Sequence, residues 1–333
     1  MDLIEINHLK TYFYQNKGFL SKLFGEGLKT IHAVDDVSLT IKKGRTFGLV
    51  GESGCGKSTL GQSIFRLVKA QSGEILFQGQ DVLQMDHKTL MAFRQQAQLI
   101  FQDQYGCMNP RMTVGQIIAE PLMMREKGKI DNQSLFDEVI RLLQAVNLDP
   151  ESATKFPNEF SGGQARRIGV ARAIALTPVF IMADEPTSGL DISTAATILN
   201  LMQDLQDKLN ITYLWVSHNL NQVKYMSDDM AVMYLGKIVE MGQTKDIFRE
   251  MAHPYTKALI SAVPQVSINQ QKETIFLEGE IPSPIHPPSG CRFRTRCPQV
   301  MKRCKTHEPA LIDLGSGHLC ACHLHTVNQE TNN

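Results

Sequence analysis

The chain has 333 residues, 42% hydrophobic and 20% charged, the composition of an ordinary globular protein with a sizeable core. Lys+Arg and Asp+Glu both number 34, so the basic excess of phosphate-backbone binders is missing and nucleic acid is not an expected partner. A membrane span needs roughly 18–20 apolar residues, the longest run here is the eleven from Ala173 to Ala183, and the start lacks a basic-then-apolar leader, so a soluble or peripheral cytosolic protein is expected.

"LIEINHL" alternates apolar and polar residues and predicts a strand. Lys17 to Lys29 mixes Phe and Leu with glycines and lysines; it reads as an excursion between strands, either a surface loop or a segment touching a membrane or partner subunit. "TFGLVG" predicts a buried strand, and a helix should follow from Lys57 to about Val68. "GEILFQG" and "QAQLIFQD" predict two further strands. From Gln104 to about Leu176 the pattern is helical, with Leu135, Phe136, Val139, Ile140, Leu143 and Val146 on one face. Strand character returns at "VFIMAD", "TYLWVS", "MAVMYL" and "KIVEMG". Strands alternating with helices imply an α/β fold with a mainly parallel sheet. After Pro264 the text turns Pro- and Gln-rich, which predicts a linker ahead of a tail holding five of the seven cysteines.

"GESGCGKST", Gly51 to Thr59, matches G-x-x-x-x-G-K-[ST] between a predicted strand and helix. Gly51, Gly54 and Gly56 let the backbone approach phosphate oxygens with its N–H groups, and Ser53, Cys55 and Thr59 complete the loop. Lys57 reaches the β- and γ-phosphates, and Ser58 offers a hydroxyl to Mg²⁺. "VFIMADEP" delivers two acids at a strand end. Asp184 suits the metal, and Glu185 suits the attacking water. Taken alone, the pair would equally cap a helix. "FSGGQ" places Ser161, Gly162, Gly163 and Gln164 at the start of a strong helix, Ser161 being a natural N-cap.

"FSGGQ" resembles the LSGGQ signature of ATP-binding cassette (ABC) ATPases, and other motifs follow in that family's order. "LIFQD" resembles the Q-loop with Gln102, "SGLD" the D-loop with Asp191, and "WVSHN" the H-switch with His218. Phe13 stands where the family stacks an aromatic on adenine, with Tyr12 beside it. The resemblance implies a P-loop ATPase domain with a mainly parallel sheet core, an antiparallel β part and a helical subdomain over about 104–176, plus a small Cys-rich C-terminal extension. The division implied is 1–265 for the cassette and 266–333 for linker and extension. Lys57, Ser58, Gln102 and Asp184 would hold Mg-ATP, Glu185 would be the general base, and His218 would contact the γ-phosphate. Ser161, Gly162 and Gly163 would face ATP on another subunit. Phe160 stands for the commoner Leu, and Gly189 for a frequent Ala; neither change removes a catalytic group.

"HPYTKALISAVP", "GEIPSP" and "PPSGCRFRTRCP" resemble the oligopeptide/dipeptide/nickel importer ATPases, and the excursion near the start resembles their F-type subunit. The resemblance implies a peripheral protein at the cytoplasmic membrane face. Its partners would be a paralogous ATPase, two permeases and an extracytoplasmic solute-binding protein. Di- and oligopeptides are the implied cargo, with nickel or another small solute as the alternative; a non-transport regulatory protein is the rival reading. The tail cysteines are spaced Cys291-x5-Cys297-x6-Cys304, then x15 to Cys320 or x17 to Cys322. Zinc sites usually pair ligands as C-x2-4-C, and these gaps are longer and uneven. By spacing alone an iron–sulfur cluster, zinc and free redox thiols stay open. The importer family carries a four-iron four-sulfur cluster here, its last ligand closing an H-x-x-A-C run, which implies Cys291, Cys297, Cys304 and Cys322, with Cys320 as an extra. Cys55 and Cys107 read as ordinary thiols. Because the linker separates tail from phosphate loop in sequence, ATP binding is expected to survive loss of a cluster.

Overall fold

The computed structural model describes residues 1–15, 29–126, 128–263 and 275–330. Of the excursion from Lys17, all but Lys29 lies outside the described residues, as does the first part of the Pro-rich linker. In chain order the regular elements are β1 (Asp2–Gln15), β2 (Lys29–Lys42), β3 (Thr46–Val50), α1 (Lys57–Ile64), β4 (Ser72–Phe77), β5 (Gln80–Asp81), α2 (His87–Gln96) and β6 (Ala97–Ile100). There follow α3 (Val114–Arg125), α4 (Asn132–Ala145), α5 (Gly162–Ile174), β7 (Phe180–Asp184), α6 (Ile192–Leu209) and β8 (Thr212–Val216). The chain continues through α7 (Leu220–Met226), β9 (Asp229–Tyr234), β10 (Lys237–Gln243), α8 (Thr244–Arg249), α9 (Pro254–Ser261), β11 (Ile312–Asp313), β12 (Leu319–Cys320) and α10 (His323–Glu330). They form two compact units. The first combines Met1–Ile41, Phe47–Gln84 and Ser217–Asn333, and the second Lys42–Thr46 with Met85–Val216. Residues after 265 therefore group with the first unit.

In the first unit, β2-β1-β4-β5 form a four-stranded sheet. Ile4 faces Phe77 and Ile6 faces Ile75 across the antiparallel β1–β4 pair. Ile4 and Ile6 are buried on the face the alternation predicts, and Leu3 and Leu9 are buried as well. The phase slips at His8, in the left-handed region at φ 49, where the register shifts. A second run of strands has the order β11-β12-β10-β9-β3. β3 and β9 are parallel, and β9–β10, β10–β12 and β12–β11 are antiparallel. Helix α1 is shorter than its pattern suggests, because Arg66 turns left-handed at φ 51 just beyond it.

In the second unit β8, β7 and β6 are parallel, with Phe180 registered between Ala97 and Thr212. Every residue of β7 and β8 is buried, which is why both read as unbroken apolar runs. The helices start on side-chain caps. Thr113 and Gln116 form a capping box at α3, Asp131 caps α4, Ser161 and Gln164 form a second box at α5, and Asp191 caps α6. On α4 the buried residues are Val139, Leu142 and Leu143. Phe136, expected on that face, is 51% exposed. The apolar stripe is rotated by part of a turn from the predicted one.

The tail docks onto the first unit by β-addition. Glu240 of β10 faces Cys320 of β12, and Met241 faces Leu319. Glu240 is fully buried. Its carboxylate accepts the backbone N–H groups of Ala252 at 2.8 Å and His253 at 2.9 Å, and His318 Nε2–H at 2.7 Å. Burial pushes this carboxyl up, but the bonds from His318, Thr256, Ala252 and His253 outweigh it and hold it below the usual carboxylate range. The same bond holds the His318 imidazole above its ordinary value.

Glu240 should therefore lock the tail in place. Glu240→Gln leaves His318 without its counter-charge and is expected to cost about 3 kcal/mol, read as a lower thermal midpoint. The raised His318 contributes stability that is complete below about pH 6.5 and lost as pH rises through its folded value. The lowered Glu240 contributes above about pH 4.3 and loses its share as pH falls. In thermal melts, His318→Gln should remove the alkaline decline and weaken, without abolishing, the acid limb, which also draws on Thr256, Ala252 and His253.

Candidate functional site

The predicted phosphate loop lies in the first unit, between β3 and α1. Gly51 and Gly56 show why glycine is required. A Cβ on Gly51 would lie 2.2 Å from the Met233 carbonyl oxygen, and one on Gly56, at φ 111, would lie 2.0 Å from that of Ala33. No other residue fits either place without moving backbone. Gly56 also caps α1 in a left-handed conformation with no side-chain bond to the helix start. A glycine at this position puts no side-chain oxygen at the helix start, where an anion can bind. Lys57 is buried, at 5% exposure. Its Nζ donates to the carbonyls of Gly51 at 2.7 Å and Glu52 at 3.0 Å, and lies 3.8 Å from Cys55 Sγ. Burial pushes the Cys55 thiol up against the pull of Lys57, so it stays neutral. Ser58 and Thr59 are half-buried, and Ser53 and Gly54 are exposed. The residues present fit a polyphosphate: glycine-walled backbone, a helix start preceded by glycine and the buried Lys57.

The remaining first-unit candidates are Phe13 and His218. The Tyr12 hydroxyl donates to Asp35 at 2.6 Å, and its ring centroid lies 4.5 Å from that of His32. Burial and the Asp35 bond both raise its pKa. Phe13 points the other way and is 39% exposed. Of the adjacent pair, Phe13 has the open ring face. His218 is exposed just after β8, between Ser217, whose N–H bonds the Leu49 carbonyl, and Asn219, which caps α7.

In the second unit, Asp184 closes β7 and is 7% exposed. Glu185 follows with φ 46, a left-handed conformation for a non-glycine residue, and its N–H bonds the Val216 carbonyl at 2.9 Å. Strain of this kind persists only where the surroundings hold it, and it clusters at functional sites. Gln102 Nε2 donates to Glu185 Oε2 at 2.9 Å, so two residues 83 positions apart meet. Arg166 was not singled out from sequence. It donates Nη1 to the Gln102 carbonyl and Nη2 to the Ser188 carbonyl, the latter at 2.9 Å, tying together the segments that hold Gln102 and the "SGLD" turn. Its signal was faint, an arginine one turn into a helix. Ser161 N–H bonds Gln164 Oε1 at 2.9 Å, Gly162 is exposed and Gly163 buried. Phe160 is nearly buried, at 9% exposure, filling the apolar role of the commoner Leu. Gly189, at φ 76, occupies a left-handed turn. The Asp191 carboxyl is held far below its usual range by the Ser193 and Thr194 hydroxyls.

The tail thiols are all free. Burial pushes Cys291 up to about 11, with further upward pressure from Cys304, Cys322 and Cys297. Burial, then Cys297 and Cys304, likewise raise Cys322. Cys320 has different company. Burial and Glu240 raise it most, followed by Cys322 alone among thiols. Cys291 and Cys322 thus each sense Cys297 and Cys304, whereas Cys320 senses Glu240 before Cys322. Among the described residues no three His, Cys, Asp or Glu side chains are grouped so that they could hold a metal ion, so the arrangement of the thiols lends no support to the expected cluster.

The geometry removes the ground for one expectation, that distance in sequence insulates ATP binding from the tail. The tail is far from the phosphate loop in sequence but not in space. Arg296 donates Nη1 and Nη2 to the Glu52 carboxylate at 2.7 and 3.1 Å, across 244 positions. A long linker sets no minimum distance between the elements it joins.

Residues 34–188 match the family model described as ABC transporter, and residues 239–304 match that described as oligopeptide/dipeptide transporter, C-terminal region. The chain is 42% identical to the oligopeptide transport ATP-binding protein AppF of Bacillus subtilis, over 97% of this chain and 98% of that one. It is 41% identical to the dipeptide transport ATP-binding protein DppF of Haemophilus influenzae, over 94% of each. Among solved structures, the post-hydrolysis dimer of the ATP-binding cassette MJ0796 bound to ADP and Pi is similar, with a TM-score of 0.63 and 25% identity, covering 72% of this chain and 98% of that one. Among the described residues no helix is long and apolar enough to cross a membrane. With near-complete coverage by such relatives, the chain belongs to the ABC transporter ATP-binding proteins, in their oligopeptide/dipeptide transporter group.

Proposed function

We propose that this chain is the ATP-hydrolysing subunit of an importer for di- or oligopeptides, peripheral at the cytoplasmic membrane face. The observation that carries the reading is the phosphate loop, walled so closely that no Cβ fits at Gly51 or Gly56, with Lys57 folded into it. The names of the relatives support peptide as cargo. The partners are two permeases, an extracytoplasmic solute-binding protein and a paralogous ATPase. The cassette is assigned to 1–265 and the cysteine-bearing extension to 266–333.

Lys57 and the N–H groups of the loop bind the phosphates, Ser58, Asp184 and Gln102 hold Mg²⁺, and Phe13 stacks on adenine. Bound Mg²⁺ neutralises charge on the phosphate oxygens. Glu185 takes the proton of the attacking water. The amide of Gln102 donates to its carboxylate, which keeps the base aimed. His218 contacts the γ-phosphate. Ser161, Gly162, Gly163 and Gln164 begin α5 with a capping box already satisfied, leaving the start of that helix to meet ATP on the partner subunit, with Asp191 alongside. Cys291, Cys297, Cys304 and Cys322 hold a [4Fe–4S] cluster. Support comes from the donor set: four free thiols in the tail, of which Cys291, Cys297 and Cys322 are raised by burial first and then by neighbouring thiols.

Glu185→Gln should bind ATP with near-normal affinity while turnover falls by on the order of 10²–10⁴-fold; full turnover would refute the base. In a mixed dimer whose partner alone has an intact phosphate loop, Ser161→Ala in this chain should lower hydrolysis, and an effect confined to its own ATP would refute the shared site. Purified without oxygen, the protein should be brown. Cys→Ser at 291, 297, 304 or 322 should abolish the visible absorption, and the same change at Cys320 should spare it. A colourless preparation with stoichiometric zinc would overturn the cluster.

A further inference from the structure

Glu52 is the second residue of the phosphate loop, and each of its polar groups has a partner. The carboxylate accepts both terminal nitrogens of Arg296 at 2.7 and 3.1 Å. The backbone N–H donates to the Tyr255 hydroxyl at 2.9 Å, and the carbonyl accepts Lys57 Nζ at 3.0 Å. The Arg296 side chain is 8% exposed and that of Glu52 25%, so this is a shielded, fork-to-fork pair of the stronger kind. It holds Arg296 firmly charged, the Glu52 bond raising its pKa further.

The arm that carries Arg296 is itself anchored. Phe293 is 1% exposed, with its ring centroid 5.2 Å from Tyr234, 5.3 Å from Tyr255 and 5.6 Å from His253. Arg292 donates to the Leu235 carbonyl and pairs with Asp35. One residue on, Gly236 N–H bonds the Cys55 carbonyl at 2.8 Å. The tail therefore backs the phosphate loop at both ends: directly at Glu52, and at Cys55 through the turn after β9.

We infer that Arg296 is a positioning residue for the phosphate loop, so that the C-terminal arm 291–297 sets the chain's affinity for ATP. The inference rests on the reading of Gly51 to Thr59 as the ATP phosphate site. The loop supplies N–H groups and little else, so its shape is imposed from outside. Without Arg296 an unpaired carboxylate would sit beside the phosphates, repelling them, and the loop would lose its outer tie. Cys291 and Cys297 flank Phe293 and Arg296, so whatever orders those thiols orders the same arm.

The test measures MgATP affinity and steady-state hydrolysis on the full chain in its native complex. Arg296→Gln should weaken ATP binding about tenfold, raising KM by a similar factor with kcat within about twofold. Arg296→Lys, which keeps the charge but not the fork, should fall between. Because the two residues act as one unit, Glu52→Gln with Arg296→Gln should be no worse than Arg296→Gln alone. Lys57→Ala measured alongside separates the two readings. ATP binding that ignores Lys57 removes the phosphate site itself. Binding that needs Lys57 but is unchanged in both Arg296 variants overturns the clamp alone. So does a loss of kcat at constant KM, or an additive double mutant. Should Arg296→Gln fail to fold, Arg296→Lys and the double variant decide the question by the same criteria.

Discussion

A loop that offers bare N–H groups to phosphate cannot brace itself with side chains, and this constraint organises the first unit. At Gly51 and Gly56 the neighbouring backbone, the carbonyls of Met233 and Ala33, stands where a Cβ would be. That closeness lets the amides converge, and it makes the loop dependent on whatever holds β2 and the end of β9. The Tyr255 hydroxyl, Arg296 and the Gly236 N–H provide that support from outside. Stability and binding are here the same problem, because each brace that fixes the loop also fixes the geometry presented to a ligand.

The second unit solves a different problem, the aiming of a carboxylate. β7 is buried along its whole length and ends in two acids. The register of a parallel strand is strongly specified when both faces are packed, so Asp184 cannot drift. Glu185 then leaves the strand in a left-handed turn that an ordinary side chain disfavours. Its N–H is held by Val216 and its carboxylate by Gln102. Arg166 binds the backbone on either side of that arrangement. The strained residue is thus held by two groups that are not its sequence neighbours, and Arg166 in turn fixes the backbone of one of them.

What was legible in the sequence was local. The phosphate loop, the α5 capping box and the apolar runs of β7 and β8 depend on residues close together in the chain, and their patterns survive in one dimension. The ring choice between Tyr12 and Phe13 was half legible: alternation separates them, but only the Tyr12–Asp35 bond shows which is occupied. On α4 the expected stripe included Phe136 and missed Leu142, because which edge of an apolar face is covered depends on the neighbouring helices. The pairing of Arg296 with Glu52 spans 244 positions and leaves no periodic trace. The tail joins through β12, a two-residue strand too short to announce itself by alternation.

The crowding of cysteines at the end of the chain has two physical explanations, and the structure divides them among residues. Cys320 sits in β12, opposite the buried Glu240 and fully covered. Burial and a nearby carboxylate both oppose its ionisation, so it behaves as a small apolar side chain in the patch with Ala252, Cys322 and Leu324. Cys291, Cys297 and Cys322 are raised by burial first and then by neighbouring thiols, Cys304 among them. Both cysteines of "HLCAC" are buried in that patch, and pairing with β10 continues past β12 through the Ala321 N–H, which bonds the Val239 carbonyl at 2.8 Å.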